Sequence, residues 1–352
     1  MVDVNIGALR KNCYRQSKVP GEFMLQLRVP GAVIPADLLD IIKHVCNTWG
    51  DGSFHIGMRQ TLNAPGIKAK DVPAVNEYIE PYIKAVECDM CGIEMDTSKG
   101  YPFLAPRNIM ACIGGIHCIL ANNNTQNLAH KLEKIIYPNP YHVKISVAGC
   151  PNDCGKAHFQ DFGFIGVTIP IYDIDRCIGC GGCVRNCEHH ATRVLEMNDG
   201  TNKVDKDMCC CVGCGECVKA CPTGAWRRPA TEFWRIMLGA RSGKQNPRMG
   251  KVFAKWVTTD VVIQIMNNWP KFTNWVLGGK PIYIHGGHLI DKAGYRKFLE
   301  MMLEGVTLNP EALIAENIFW HEEEYRNAFL LKNVDHHDIV SDKMRAHTHG
   351  ME

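Results

Sequence analysis

No stretch of this 352-residue chain carries the run of about 18 apolar residues that a membrane-spanning helix needs, so no span is expected. No sign of charge dominates either. The 39 lysines and arginines stand against 37 aspartates and glutamates, and a net charge of +2 gives no general drive toward nucleic acid or a membrane surface. The opening residues, Met-Val-Asp-Val-Asn-Ile-Gly, lack the basic and apolar regions of a secretory signal, so export is not expected. There is no GxGxxG turn of the kind that cradles a dinucleotide, and nicotinamide binding to this chain is not expected.

What the chain has in abundance is cysteine, 18 in all. In a long chain without an export signal these read as metal ligands kept reduced in the cytoplasm rather than as disulfides. Twelve fall into three frames. The first is Cys112-x5-Cys118 followed by Cys150-x3-Cys154. The second is Cys177-x2-Cys180-x2-Cys183-x3-Cys187, and the third is Cys211-x2-Cys214-x2-Cys217-x3-Cys221-Pro222. The last two are the bacterial ferredoxin run, in which the fourth cysteine of each run ligates the other cluster. One [4Fe–4S] cluster is therefore assigned to Cys177, Cys180, Cys183 and Cys221, and another to Cys211, Cys214, Cys217 and Cys187. Zinc held by four cysteines is the alternative. The tandem runs, with Gly181, Gly182 and Gly213 between ligands, argue against it. One departure is Glu188, which follows Cys187 where the motif usually has proline. Cys209 and Cys210 break the x2 spacing, Cys88 and Cys91 lack a second pair, and Cys13 and Cys46 read as core residues.

Mixed strand and helix is expected around these frames. Phe23–Val29 reads as a strand ended by Pro30-Gly31, followed by a helix from about Pro35 to Gly50, a strand over Ser53–Arg59 and a helix over Val72–Val86. Asn124-Thr125 can cap a helix running through Ile136. His142–Ala148 reads as a strand leading into Cys150. Residues 172–225 differ in composition, with weak hydrophobic periodicity, as expected where clusters replace a core. Helices and strands resume over Val257–Trp269, Lys280–His285 and Ala293–Leu303, and the tail beyond about 338 is polar. The histidines of that tail read as solvated, while His117 and His142 read as structural hydrogen-bonding residues near the first frame.

Several segments together resemble the sirohaem nitrite/sulfite reductase family. They are Arg28-Val-Pro-Gly31, Gly57-Met-Arg59-Gln-Thr61, Arg107-Asn-Ile-Met-Ala-Cys112, Gly149-Cys-Pro-Asn-Asp-Cys154-Gly-Lys156 and Leu238-Gly-Ala-Arg-Ser-Gly243-Lys…Pro247-Arg-Met-Gly250. Their order, with the tandem ferredoxin runs and Gly279-Lys-Pro-Ile-Tyr-Ile-His285, is similar to the anaerobic sulfite reductase branch over roughly residues 10–325. The resemblance implies an α+β fold. A ferredoxin-like half-domain (1–92) precedes a sirohaem/[4Fe–4S] domain (93–170 and 226–337). A two-cluster ferredoxin (171–225) is inserted in that domain, and a polar tail (338–352) follows.

The same resemblance implies sirohaem and three [4Fe–4S] clusters as cofactors and sulfite as substrate. Electrons would enter through the inserted ferredoxin and pass by the Cys112/Cys118/Cys150/Cys154 cluster. Cys154 would bridge that cluster to sirohaem. Arg28, Arg59, Lys144 and Lys156 match positions that line the family's anion pocket, although lysine at 156 replaces an arginine common in relatives. Arg107, Asn108, Arg241, Lys244 and Arg248 would hold the macrocycle and its carboxylates, as cations and planar donors suit oxyanions. An iron–sulfur subunit and a flavin subunit that oxidises NADH are implied as partners. Larger relatives contain two copies of the unit, so a dimer or hetero-oligomer is implied for this single copy. A sirohaem nitrite reductase and an electron-carrying polyferredoxin without sirohaem are the alternatives.

Overall fold

The computed structural model describes residues 13–99, 108–137, 141–243, 247–280 and 282–320. Arg107, Lys244 and the polar tail lie outside the described residues. The first layer is an antiparallel sheet of β1 (Tyr14–Gln16), β2 (Glu22–Leu27), β3 (His55–Ile56) and β4 (Leu62–Lys68), in the order β1-β2-β4-β3. Alternation in β2 buries Phe23, Leu25 and Leu27. They meet Ile42, Val45 and Cys46 of α1 (Leu38–Thr48) and Val75, Ile79, Tyr82 and Ile83 of α2 (Val72–Ile83), which recur at helical spacing. The expected strand over Ser53–Arg59 shrinks to two residues, because the chain turns back at 57–60 with Gln60 at φ 59°. β4 was hidden in the sequence by Pro65-Gly66. The pair is accommodated where the β2–β4 register slips between Phe23 and Leu25.

The second layer is a six-stranded sheet. It contains β5 (Met110–Ala111), β6 (Ile145–Ala148) and β7 (Phe162–Val167), which run parallel. Between β7 and the next strand of this sheet the chain makes an excursion. There β8 (Ile171–Tyr172) pairs with β11 (Trp226–Arg227), and β9 (Thr192–Glu196) pairs with β10 (Asn202–Lys206). The sheet then continues antiparallel through β12 (Phe233–Leu238), β13 (Lys251–Thr258) and β14 (Leu313–Ile314), giving the order β14-β13-β12-β7-β6-β5. β6 and β7 are buried at every position, as befits central strands covered on both faces. Helix α3 (Thr125–Ile136) starts as expected at Asn124, whose side chain accepts from Asn127 N at 3.1 Å. Helices α4 (Thr259–Asn267), α5 (Trp269–Leu277), α6 (Gly286–Ala293) and α7 (Tyr295–Met302) complete this region. α5 and α6 were not expected from the sequence.

One buried ion-pair knot joins the two layers. α2 runs on as a π-helical segment, Lys84–Met90, that carries Glu87 inward to full burial. Arg28, just after β2 and 1% exposed, pairs through Nε with Glu87 Oε1 at 3.0 Å and through Nη2 with Glu133 Oε2 of α3. The guanidinium lies 4.6 Å over the Tyr137 ring, and Tyr82 OH donates to the Arg28 carbonyl at 2.7 Å. Beside it the turn Pro30–Ala32 packs on α3. A Cβ at Gly31 (φ 66°) would come within 2.9 Å of His130 Nε2. Burial pushes Glu87 up to about 7, with Arg28 pulling it down and Glu133 pushing it further up. Near neutrality Glu87 is therefore only partly ionised, which limits the negative charge buried beside Arg28.

Two outcomes are expected. Because Glu87 is a weaker acid folded than unfolded, the stability it contributes is complete at acid pH. That stability is lost as pH rises from the ordinary carboxyl value of about 4.5 to about 7. Urea unfolding of the parent and of Glu87→Gln at pH 5, 6 and 7 should show that loss in the parent only; equal slopes would mean that Glu87 ionises normally. Arg28→Met strands both carboxyls and should cost about 3–5 kcal/mol in the same assay at neutral pH.

Candidate functional site

Two neighbouring parallel strands deliver the first cysteine frame. Cys112 follows β5 and Cys150 follows β6, at strand ends where α/β sheets present their ligands. Cys112, Cys118, Cys150 and Cys154 line one cavity of ≈ 380 Å³, together with Gln60, Gln126 and Asn152. The loop atoms are closely held. Gly149 N donates to Cys112 Sγ at 3.1 Å, and Thr125 Oγ1 and Gln126 Nε2 donate to the Cys112 carbonyl at 2.8 and 3.0 Å. The Gln60 amide exchanges two 2.8 Å hydrogen bonds with the Ala111 backbone. Asp153 accepts from Ala157 N at 2.6 Å and pairs with His158 Nδ1 at 2.5 Å, which fixes the turn between Cys150 and Lys156. Cys154 is exposed, whereas Cys112, Cys118 and Cys150 are half-buried.

The donor set suits an iron–sulfur cube. Burial pushes the Cys150 thiol up, and Cys112, Cys154 and Cys118 add to the effect, so this group of thiolates calls for a strongly cationic centre. A single tetrahedral zinc, with Zn–S of about 2.3 Å, would draw the sulfurs to about 3.8 Å apart. Among the described residues the group of potential ligands lying within 4.8 Å of one another is His142, Asp161 and His285, and no cysteine frame is that tight.

In the excursion, Cys187, Cys211, Cys214 and Cys217 line a second small cavity with Lys206. Cys177, Cys183 and Cys221 pack together beside Tyr172 and Trp226, and Cys180 is exposed. Short helical turns, Gly182–Arg185 and Glu216–Lys219, follow the left-handed Gly181 and Gly215 in each half. Backbone N–H groups of Gly179, Ala191 and Gly213 point at Cys177, Cys187 and Cys211 Sγ at 3.5, 3.2 and 3.4 Å. Cys209 and Cys210 are exposed, Cys88 is half-buried, and Cys13, Cys46 and Cys91 are buried.

The cations expected at an anion pocket have unlike surroundings. Arg28, Arg59 and Asn108 line a cavity of ≈ 240 Å³. Arg28 differs from the expectation, since Glu87 and Glu133 take its guanidinium. Arg59 donates to Gln160 Oε1 at 2.7 Å and to the Asn108 and Ile145 carbonyls at 2.9 and 3.0 Å, stitching the half-domain to the second sheet. Asn108, expected at the cofactor, has both ends of its amide engaged. It accepts from Val29 N at 3.0 Å and donates to the Val29 and Arg59 carbonyls at 3.1 and 2.8 Å. Lys144 is half-buried just before β6, and Lys156 is exposed, with φ 57°, on the Cys154 loop. Arg241 and Arg248 pair through their backbones and both grip Asp291, Arg248 at 2.8 Å. Burial, then Arg241, holds the neighbouring His288 below its usual pKa.

Sequence reasoning missed four polar residues of this region. Asp161 accepts from Lys144 N and Gly286 N, each at 2.8 Å, and pairs with His285 Nδ1 at 3.3 Å; both sit beside the buried His142. Asn122 joins the excursion to the sheet, and Lys206 reaches Cys217 Sγ at 3.2 Å. The run Asn122-Asn123-Asn124 and the Gly279–His285 segment carried a signal, whereas Asp161 and Lys206 are single polar residues without a motif.

Comparison with known proteins adds the family. Residues 105–308 match the nitrite and sulphite reductase 4Fe-4S domain, and residues 15–82 match the nitrite/sulfite reductase ferredoxin-like half domain. The chain is 48% identical over 337 residues to the anaerobic sulfite reductase C subunit of Salmonella typhimurium, covering 95% of this chain and 99% of that one. It is 24% identical over 154 residues to a chloroplastic ferredoxin–nitrite reductase of Arabidopsis thaliana, covering 42% of this chain and 24% of that protein. Its fold is similar to a crystal structure of dissimilatory sulfite reductase I, with a TM-score of 0.60 at 19% identity over 93% of this chain and 78% of the other. On these grounds the chain belongs to the nitrite/sulfite reductase family and, within it, to the anaerobic sulfite reductase C subunits.

Proposed function

We propose that this chain is the catalytic subunit of a cytoplasmic complex that reduces sulfite to sulfide. Six electrons and seven protons convert sulfite to hydrosulfide and three waters. The observation that carries the reading is the cavity lined by Cys112, Cys118, Cys150 and Cys154 at two parallel strand ends, with Cys154 outermost. These four cysteines would hold one [4Fe–4S] cluster, and Cys154, the outermost, would be the ligand that links it to sirohaem. Sirohaem, when bound, would supply the iron centre at which sulfite is reduced.

The remaining roles belong to side chains. Lys156, exposed beside Cys154, and Lys144 at the foot of β6 attract the dianion and can hand protons to its oxygens as they leave as water. Arg59 adds positive charge from a fixed position, and Arg28 keeps its structural place behind it. Arg241 and Arg248, held side by side on Asp291, present planar donors that suit macrocycle carboxylates; Arg107 and Lys244 are assigned to the same role. Residues 171–225 form the inserted ferredoxin, with two further clusters on the cysteine sets given above, and electrons enter there. Its partners are an iron–sulfur subunit and an NADH-oxidising flavin subunit, with a second copy of the chain as a further candidate.

Anaerobically purified protein should show a chlorin-type red band with a Soret band, and iron and sulfide sufficient for three clusters and one macrocycle. Cluster absorbance without the macrocycle band after reconstitution would reduce the chain to an electron carrier. Turnover with sulfite well above that with nitrite separates it from a nitrite reductase. Cys154→Ser should abolish dye-driven sulfite reduction, and retained turnover would remove Cys154 from the bridge. Cys214→Ala should spare the dye-driven reaction and stop the one driven by partner subunits; survival of both would move electron entry elsewhere.

A further inference from the structure

The two cysteine sets of the excursion sit in unequal surroundings. The loop of Cys211, Cys214 and Cys217 is pressed against the second sheet. Thr168 N donates to the Gly213 carbonyl at 3.0 Å, and Arg235 Nη2 donates to that of Val212 at 2.8 Å. Asn122 Nδ2 donates to the Gly213 and Cys214 carbonyls at 3.1 and 3.4 Å. Gly213, at φ 73°, lies so close that a Cβ would meet Val167 at 2.7 Å and the Trp256 ring at 2.8 Å. From Asn122 the bonded path goes on, with its N–H donating to the Gly149 carbonyl at 2.7 Å and Gly149 N donating to Cys112 Sγ at 3.1 Å. The contacts of the other set stay within the excursion. Arg185 donates to the Cys180 carbonyl at 3.0 Å, and Lys203 donates to that of Cys177 at 2.8 Å.

Among the described residues, only the inner set has an ammonium on a sulfur. Lys206, the last residue of β10, points its Nζ at Cys217 Sγ from 3.2 Å and lies 5.2 Å over the Trp226 ring. It also lines the cavity shared by Cys187, Cys211, Cys214 and Cys217. On the outer set the cations reach carbonyl oxygens rather than sulfur. Neutral donors reach sulfur in both sets, from Ala191 and Gly213 on the inner and from Gly179, with Thr223 beside Cys221, on the outer, so the ammonium is what separates them. Adding an electron to a cluster and its thiolates adds one negative charge. A cation hydrogen-bonded to a ligand sulfur stabilises that state more than the oxidised one.

We propose that Lys206 raises the reduction potential of the group held by Cys187, Cys211, Cys214 and Cys217 above that of the group held by Cys177, Cys180, Cys183 and Cys221. The electron then rests on the site nearest Cys112, so transfer through the excursion is directed inward. Each transfer moves one electron, with the outer site oxidised by one and the inner site reduced by one. No bond or proton changes place. This inference rests on the reading of residues 171–225 as a two-cluster ferredoxin.

The test is a potentiometric titration of the whole anaerobic protein with dithionite, followed by electron paramagnetic resonance. An iron and sulfide count comes first, and fewer than three clusters in the parent would defeat the ferredoxin reading itself. With a full complement, the parent should show two ferredoxin transitions at least tenfold apart in reduction equilibrium, about 59 mV for one electron. Lys206→Met should lower the higher transition by about tenfold and leave the others in place, and Lys206→Arg should remain near the parent. Coincident transitions in the parent, an unmoved transition in fully loaded Lys206→Met, or an equal shift of every cluster would each overturn the proposal. Should the variant lose iron, the parent's separation alone decides.

Discussion

The Arg28 ion pair is the contact on which the position of the first cysteine frame depends. Glu133 does two things at once. One oxygen meets Arg28, and the other accepts from Ile109 N at 3.1 Å, just before β5 and Cys112. Near the opposite end of the same helix, Thr125 and Gln126 hold the Cys112 carbonyl. The helix thus works as a rigid strut between the half-domain and the cysteine loop. A buried charge cluster is weak support for stability in itself, since the desolvation it costs is comparable to the attraction it gains. Its effect here is geometric. Glu87 arrives from the π-helical segment and Arg28 from the end of β2, so the two layers meet in one register about a single guanidinium.

The arginines and lysines of this region differ in side-chain chemistry and in surroundings. Arg28, Arg59, Arg241 and Arg248 each have carboxylate, carbonyl or amide partners, so they contribute a fixed field and little motion. Lys156 sits exposed on a loop, while Lys144 stands at a strand entrance. The division suits a reaction in which an anion must be bound and repeatedly protonated. A guanidinium does not give up its proton at any ordinary pH, whereas an ammonium can shift and donate. Under the proposed function, arginine would hold the anion and lysine would transfer protons to it.

The gathering of Cys112, Cys118, Cys150 and Cys154 about one cavity was legible in the sequence because short spacing survives as text. The helix at Thr125–Ile136 was legible for the same local reason, through its Asn124 cap. The strand over Leu62–Lys68 was not, because its Pro65-Gly66 reads as a turn until the bulge opposite β2 is known. Arg28 was legible as a marked residue but not in its partners. Glu87 and Glu133 lie 59 and 105 positions away and look like ordinary helix-surface glutamates. Long-range pairing of polar groups leaves no periodic trace, and the same holds for Asn108, Asp161 and Lys206.

The site of the excursion follows from sheet topology. β7 and β12 are adjacent and antiparallel, with Val167 opposite Phe233, so the chain leaves and re-enters the sheet at neighbouring positions. The β8–β11 ribbon closes the gap with only two residue pairs. Such a junction adds little loop-closure cost to the sheet itself, whatever the length of chain beyond it. It also fixes where the added segment lands. The exit lies at the C-terminal end of β7, beside the ends of β5 and β6 that deliver Cys112 and Cys150. Thr168, one residue past β7, already bonds Gly213. The segment that leaves at this corner therefore starts beside the strand ends that carry Cys112 and Cys150, and Thr168, Arg235 and Asn122 hold its Cys211–Cys214 loop there.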